Sequence, residues 1–425
     1  MGRPAICYGR SSFTKLDMTR IGILGGGFGG LYTALELGRY LWPTPPEITL
    51  VDRQERFVFL PLLYEVVTGE MEDWEVAPRF TELLAASAQP NTPIRFRQAE
   101  VAHLDLAGRR VIFQDGNPLD YDILVVALGG DPPLTRVAGA EQFAFPFRQL
   151  ADAQRLRAAL PQWQQGDPQT PIRLAITGAG ASGVELACKL ADRLGERAAI
   201  RLIEMGSQIL PGFGEASRQA ASQALQQRQI HLELQTQVLS IQSNSIQTQT
   251  QSETGYPQIR QEAVDGVIWT AGWQVVPMIR DLPVAKNERQ RLVVDATLRL
   301  PDYPEVFAIG DSAAVQDADG KIVPASAQAA FQQADYCAWN VWATATQSRP
   351  LLPFRYYPLG EMLSLGTDTA VLSGLGLTLT GSLGYLARRA TYLARMPTFD
   401  HQLKVGWHWM AKPLLTEWQR WVRSS

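Results

Sequence analysis

The feature that most restricts what this chain can fold into is a unit that occurs twice. A short apolar run, Ile21-Gly-Ile-Leu24, enters Gly25-Gly-Gly-Phe-Gly-Gly30, after which Leu31, Leu35 and Leu37 recur at helical spacing. A second apolar run, Ile48-Thr-Leu-Val-Asp52, then ends in an acid about twenty residues past the last glycine. The pattern returns as Ile172-Arg-Leu-Ala-Ile-Thr177, Gly178-Ala-Gly-Ala-Ser-Gly183, a helix from Val184, and Ile200-Arg-Leu-Ile-Glu204. Each copy reads strand, glycine turn, helix, strand, carboxylate. A bare G-x-G-x-x-G says little, but inside this βαβ context it is specific for a dinucleotide.

The glycines divide the work. Gly25 and Gly178 make the tight turn, Gly27 and Gly180 let backbone approach a pyrophosphate, and Gly30 and Gly183 allow the helix to pack closely on the strand. The phosphates then meet a helix N-terminus, whose free N–H groups and positive dipole end favour anions. Asp52 and Glu204 are placed to accept ribose hydroxyls, and a carboxylate there repels a 2′-phosphate. No Arg or Lys follows Glu204 until Arg218, so the second unit is expected to prefer NADH, with NADPH as the alternative.

Composition narrows the field. A chain of 425 residues is expected to form more than one domain at roughly 100–200 residues each. The 46% hydrophobic and 19% charged residues belong to a folded protein. Lys plus Arg (39) nearly balances Asp plus Glu (42), so no positive field exists to hold a nucleic acid. Cys7, Cys188 and Cys337 form no C-x-x-C pair, which suits a reducing compartment, and Cys188 and Cys337 read as small buried hydrophobes. The four histidines never take H-E-x-x-H spacing, and no metal site is expected. Residues 1–17 are basic and lack the apolar stretch of a secretory signal, so a flexible extension is expected ahead of Met18.

Other segments fit around the units. Tyr121–Gly129 and Asp265–Gly272 each read as a buried strand entering a small-residue turn, where the chain crosses between domains. Val306-Phe-Ala-Ile-Gly-Asp311 is a strand ending in Gly310-Asp311, a carboxylate suited to ribityl or phosphate-linked groups. The Gln/Ser/Thr-rich stretch 235–263 reads as a solvated hairpin. Residues 369–387 carry no charge, but their four glycines and alternating Thr/Ser argue for strand and turn entering a helix rather than a membrane span. Beyond them, Leu383, Leu386, Ala387, Ala390, Leu393 and Ala394 share one helical face, with Arg388, Arg389 and Arg395 elsewhere. The stretch 388–425 holds seven Lys/Arg, with Trp407, Trp409, Trp418 and Trp421 among them, as in helices that lie on a membrane surface. A dimer-forming or core-packing helix pair is the alternative.

The order of Gly25–Gly30 with Asp52, Ala127-Leu-Gly129, Gly178–Gly183 with Glu204, Thr270-Ala-Gly272 and Phe307–Asp311 resembles the two-dinucleotide-binding flavoproteins. That resemblance implies an α/β fold with two Rossmann-type domains and a C-terminal amphipathic membrane-associating segment. FAD would be bound by Gly25, Gly27, Phe28, Gly30, Asp52, Ala127, Gly129, Gly310, Asp311, Ala327 and Gln328. The nicotinamide nucleotide would be bound by Gly178, Gly180, Gly183, Glu204, Ala271 and Gly272. The implied domains are an FAD domain in two parts, 18–150 and 276–348, an interposed NAD(P)H domain at 151–275, and a segment for membrane association or dimerisation at 349–425. No redox cysteine pair is present, which sets the chain apart from the disulfide reductases.

Three further stretches, Pro61-Leu-Leu-Tyr-Glu-Val66, Ala327-Gln-Ala-Ala-Phe-Gln-Gln333 and Gly360-Glu-Met-Leu-Ser-Leu-Gly366, are similar to type II NAD(P)H:quinone oxidoreductases. The likeness is greatest to the cyanobacterial and plastid branch, some of whose members reduce demethylphylloquinone. It implies hydride transfer from NADH to flavin, then two electrons to a membrane quinone, by a peripheral protein on the cytoplasmic or stromal-type face, with a homodimer left open. Glu185 would lie between flavin and nicotinamide, Gln328 and Gln332 would line the quinone pocket, and Tyr64 and Pro61 would neighbour the flavin. The chain departs from the family in Phe331, where some relatives carry a polar group, and in Ala127-Leu-Gly129 for Ala-Thr-Gly. From the residues alone, Glu185 is also a carboxylate in a first helical turn, stabilised there by ~0.3–1 kcal/mol. Gln328 and Gln332 are also an ordinary pair on one helix face. A ferredoxin or rubredoxin reductase and a nucleotide-binding redox sensor are the competing functions.

Overall fold

The run Arg20–Leu24 lies inside a six-stranded sheet, with Glu47–Asp52 on one side and Ile123–Val126 on the other. This computed structural model describes residues 18–87, 92–251, 256–374 and 376–424, with side chains through Lys412; the expectations for residues 1–17 and for Trp418 and Trp421 lie outside the described residues. Ile94–Gln98 and Tyr303–Ala308 extend the sheet in parallel, and Arg299–Leu300 closes one edge antiparallel. Its inner strands are covered on both faces, which is why Ile123–Val126 is apolar throughout rather than alternating.

The second unit builds its own parallel sheet in the order His231–Glu233, Ala198–Ile203, Ile172–Thr177, Gly266–Trp269, Ala144–Pro146. The edge strand Ala144–Pro146 comes from upstream of residue 151, so the chain enters the second sheet before the helix Leu150–Gln164. Ile123–Val126 and Gly266–Trp269 hold equivalent places, each beside the strand that feeds a glycine turn. Just past them, Gly130–Asp131 and Gln274–Val275 pair antiparallel, so the outgoing and returning connections between domains run side by side. The 235–263 stretch forms three antiparallel strands, Thr236–Ile241, Ser245–Thr250 and Gln258–Ala263, one more than a hairpin.

The uncharged stretch 369–387 is strand, turn and helix, as its glycines predict. Ala370–Gly374 and Leu377–Thr380 join Glu361–Ser364 in an antiparallel sheet and lead into the helix Gly381–Arg395. A Cβ at Gly384 would lie 2.5 Å from Ala370 O, so only glycine lets this helix rest on the sheet. Among the described residues no helix is long and apolar enough to cross a membrane. The last helix, Phe399–Ser424, is fastened to the short helix Asp73–Val76, with His401 Nε2 3.0 Å from Glu75 O and His408 Nδ1 3.0 Å from Glu75 Oε1.

The helix Gly381–Arg395 keeps its Leu383/Leu386 face outward, as expected of a surface-lying helix, but turns one of its three arginines inward. Leu383 and Leu386 are 69% and 62% exposed, whereas Arg388 is wholly buried. The reason is that the body of the protein offers Arg388 an acidic partner, as described below.

Candidate functional site

The two glycine turns obey the same steric rules. Gly25 and Gly178 have φ of +97° and +93°, and a Cβ on them would lie 2.2 Å from Ala127 O and 2.7 Å from Ala271 Cα. At Gly30 and Gly183 a Cβ would lie 1.8 Å from the carbonyl oxygen of Gly25 and of Gly178, so the third glycine of each unit is sterically obligatory. Gly27 and Gly180, by contrast, face open space, leaving room for a pyrophosphate at each helix N-terminus. Neither helix has an acidic side chain in its first turn; the second begins at Ala181 rather than Val184, so Glu185 lies beyond the first turn where its spacing suggested it.

Each unit's acid reaches back to its turn. Asp52 accepts from Gly26 N (2.6 Å) and Gln54 N (2.7 Å), and Glu204 accepts from Ala179 N and Gly206 N, both at 2.7 Å. Burial pushes the Asp52 carboxyl up despite these donors. Ala127 and Gly129 follow the strand Ile123–Val126, and Ala271 and Gly272 follow Gly266–Trp269. Gly310 donates its N–H to Gln333 Oε1 at 2.7 Å, and Asp311 is paired with Arg148 at 3.1 Å. Phe28 opens the first unit's helix and packs edge-on against Phe57 and Phe59, with ring centroids 5.3 Å apart in each pair. The open helix ends, obligatory glycines and turn-capping acids fit two dinucleotides.

Between the units lies a buried polar knot. Glu185, on the second unit's helix Ala181–Leu194, accepts at Oε1 from Tyr64 Oη (2.9 Å) and Ser364 N (2.8 Å). Burial raises its carboxyl to about 7, against the opposing pull of Arg388 and of those two donors. Tyr64 and Glu65 come from the helix Leu63–Thr68, and Arg388 from the helix Gly381–Arg395. Arg388 donates to Tyr64 Oη, to Pro61 O (3.0 Å) and to Glu65 Oε1 (3.0 Å). Burial would raise the Glu65 carboxyl, but Arg388, Lys189 and Arg389 hold it below the usual range. Lys189, one turn beyond Glu185 and fully buried, pairs with Glu70 at 2.5 Å.

Gln328 and Gln332 share a face of the helix Ala327–Thr346, as their spacing predicts, and both amides grip the chain at 356–360. Gln328 Oε1 accepts from Tyr356 Oη (2.8 Å) and Leu359 N (3.1 Å), and its Nε2 donates to Gly360 O (3.2 Å). Gln332 donates to Tyr357 O at 2.8 Å and accepts from Tyr357 N at 3.0 Å. Their direct contacts are therefore with backbone and a tyrosine. Sequence reasoning missed Arg388, Glu65, Lys189, Ser364 and Arg148. The signals were Glu65 inside Pro61–Val66 and Ser364 inside Gly360–Gly366, two motifs already noted.

The description "Pyridine nucleotide-disulphide oxidoreductase" matches residues 19–334. The chain is 49% identical over 402 residues to the demethylphylloquinone reductase of Synechocystis sp., covering 93% of this chain and 96% of that protein. It is 39% identical to the alternative NAD(P)H-ubiquinone oxidoreductase C1, chloroplastic/mitochondrial, of Arabidopsis thaliana, covering 92% of this chain and 80% of that one. The solved structure of NDH2 from Plasmodium falciparum in complex with NADH has the same fold, with a TM-score of 0.81 at 18% identity, over 93% of this chain and 98% of that one.

Proposed function

Because this chain belongs to the pyridine nucleotide-disulphide oxidoreductase family, and within it to the type II NAD(P)H:quinone oxidoreductases, we infer that it passes a hydride from a nicotinamide dinucleotide to FAD and two electrons onward to a quinone. When bound, FAD supplies the electron-accepting ring, and the protein supplies position, charge and exclusion of water. Gly25, Gly27, Gly30 and Asp52, with Gly129, Gly310 and Asp311, hold the flavin nucleotide. Gly178, Gly180, Gly183 and Glu204 hold the donor. The donor is NADH by the reading of Glu204, with NADPH competing through Arg218, which Glu215 and Phe213 O now occupy at 2.7 Å each.

The observation that carries this reading is Glu185, a buried carboxyl poised near neutral pH at the seam between two matched glycine turns. Its Oε1 already accepts two hydrogen bonds, so Oε2 is the atom on which a proton is taken up or released. A group titrating near the working pH is suited to supply protons as the quinone is reduced. Gln328 and Gln332 act on the quinone side by fixing residues 356–360. Phe331, stacked edge-on 4.6 Å from Tyr32, makes that side apolar, as a prenyl naphthoquinone such as demethylphylloquinone requires.

The C-terminal segment supports attachment to a membrane surface. Leu383, Leu386, Ala390 and Ala394 form an exposed stripe on one helix, and Phe399, Leu403, Trp407 and Met410 form another on the next. Exposed stripes of this kind beside cations are those of helices lying in a lipid interface. Leu383→Glu with Leu386→Glu is expected to lower co-sedimentation with anionic vesicles several-fold while flavin content holds.

The activity is tested by anaerobic titration with NADH, followed by a short-chain naphthoquinone, while the flavin absorbance is recorded. Bleaching followed by full recovery is expected. Bleaching without recovery would move the acceptor to a protein, as in a ferredoxin-type reductase, and a protein without flavin would overturn the reading.

A further inference from the structure

Resting on this reading of Glu185, we propose that Arg388 is a positioning residue that fixes the proton-carrying atom of Glu185, acting through Tyr64. A phenol has one proton to donate and lone pairs to accept with. Arg388 Nη2 donates into Tyr64 Oη, so the single phenol proton points the other way, to Glu185 Oε1 at 2.9 Å. Ser364 N donates to the same oxygen at 2.8 Å. Oε1 is thereby saturated, and among the described residues Oε2 accepts no hydrogen bond. Without the guanidinium, the Tyr64 hydroxyl is free to rotate, and only Ser364 N is left to mark Oε1.

Arg388 is itself fixed from several sides. Glu65 Oε1 accepts from Nη1 at 3.0 Å, Pro61 O accepts from Nη2 at 3.0 Å, and the guanidinium carbon lies 4.7 Å from the centre of the Tyr392 ring. A planar fork can meet a carboxylate and a phenol together, which a lysine ammonium cannot reproduce. The other charged groups of the knot are accounted for. Tyr64 and Glu65 face it from the helix Leu63–Thr68, and Arg388, Arg389 and Tyr392 from the helix Gly381–Arg395. Lys189, on the helix of Glu185, is engaged by Glu70. The strand that supplies Ser364 N also carries Glu361, which is held elsewhere by Gly214 N and Ser217 Oγ.

The placement has a practical effect on how the segment can be studied. The helix that exposes Leu383 and Leu386 is the one that delivers Arg388 to the interior. Truncation after Leu383 removes the lipid-facing stripe and the partner of Glu65 together, so point variants must separate the two roles.

The test uses the full-length, flavin-loaded protein as Arg388→Lys, Tyr64→Phe and Glu185→Gln variants. Protonation of the buried carboxyl is followed by infrared difference spectroscopy of the oxidised protein against pH, beside the pH profile of kcat. Glu185→Gln is expected to abolish the carboxyl signal that titrates near neutrality. Arg388→Lys releases the Tyr64 hydroxyl whose hydrogen bond favours the ionised form, and Tyr64→Phe removes that hydroxyl, so each should raise the midpoint by about one pH unit. Tyr64→Phe leaves the Arg388–Glu65 pair in place, so it remains informative if the Arg388 variant does not fold. The double variant Arg388→Met with Glu65→Gln removes both charges and should reproduce the shift. A midpoint unmoved in both Arg388→Lys and Tyr64→Phe would overturn the role of Arg388. Asp335, pushed up to about 6 by burial, keeps its own signal, so an undiminished amplitude near pH 7 in Glu185→Gln would overturn the reading of Glu185 and the proposal with it. NADH bleaching and quinone recovery in the unaltered protein judge the overall activity separately.

Discussion

At the first glycine turn a Cβ on Gly30 would lie 1.8 Å from a carbonyl oxygen, and at the second a Cβ on Gly183 would lie 1.8 Å from its counterpart. The acids behind them cap the turns at 2.6 Å and 2.7 Å. Around these matched devices the walls differ. Phe28, Phe57 and Phe59 pack at the first, and Tyr392 of the helix Gly381–Arg395 closes over Phe59 with ring centroids 5.5 Å apart. Beyond the Glu204 end of the second lies a cleft of about 450 Å³, lined by Ser207, Gln208, Arg218, Gln219 and Leu234. An aromatic wall excludes water and holds a ligand, whereas an open cleft lets one be replaced. On the proposed function, one backbone device serves a resident nucleotide in one place and an exchanging one in the other.

The largest effects should come from filling each turn. Gly30→Val is expected to yield protein without the visible flavin spectrum and without activity. Gly183→Val should keep the flavin, still reducible by dithionite, and lose bleaching by NADH. Loss of flavin in the second variant would break the division of labour. Thinning the wall comes next: Phe59→Ala is expected to cost about 3–5 kcal/mol of stability and to speed flavin release, read by thermal unfolding and flavin fluorescence.

Glu185 gives the following effect through pH. Its folded pKa of about 7 lies above the ordinary carboxylate value, so between the two the folded state holds a proton that the unfolded state has lost. Stability contributed by this group is therefore complete at low pH and declines as pH rises through about 7, by roughly 3 kcal/mol in all. Glu185→Gln should flatten that part of the stability profile, as denaturant titrations at pH 5 and pH 8 would show. The smallest effect belongs to the acid of the second unit. Glu204→Gln removes the charge facing the ribose and is expected to shift the NADPH-to-NADH ratio of kcat/KM upward by about tenfold, ~1.4 kcal/mol. An unchanged ratio would place the discrimination elsewhere in the cleft.

What was legible in the sequence was local. Gly25, Gly27, Gly30 and Asp52 constrain one another within a single βαβ unit, and so do Gly178, Gly180, Gly183 and Glu204. Spacing alone therefore reports the turn and its acid. The knot draws on distant parts of the chain. Glu185 meets Tyr64 across 121 residues and Ser364 across 179, and no periodicity carries that information. Arg388 shows a sharper limit. A helical wheel sends an arginine to water by default, and here the buried carboxylate of Glu65, with Pro61 O and Tyr64 Oη, reverses that outcome. Gln328 and Gln332 fall between these cases. Their shared face followed from four-residue spacing, but their grip on residues 356–360 depended on where a later loop returns.

The pairing of Gly130–Asp131 with Gln274–Val275 also bears on the order in which the chain assembles. The six-stranded sheet is complete only when Tyr303–Ala308 finds Ile123–Val126, and everything between them is loop until the second domain forms. The entropy lost on closing a flexible loop grows with its length. Once the second domain has folded, its two ends emerge as hydrogen-bonded neighbours, and that long loop becomes a short one. The inserted domain thereby serves as an internal splint, bringing the last strand of the first sheet within reach of the place it must fill.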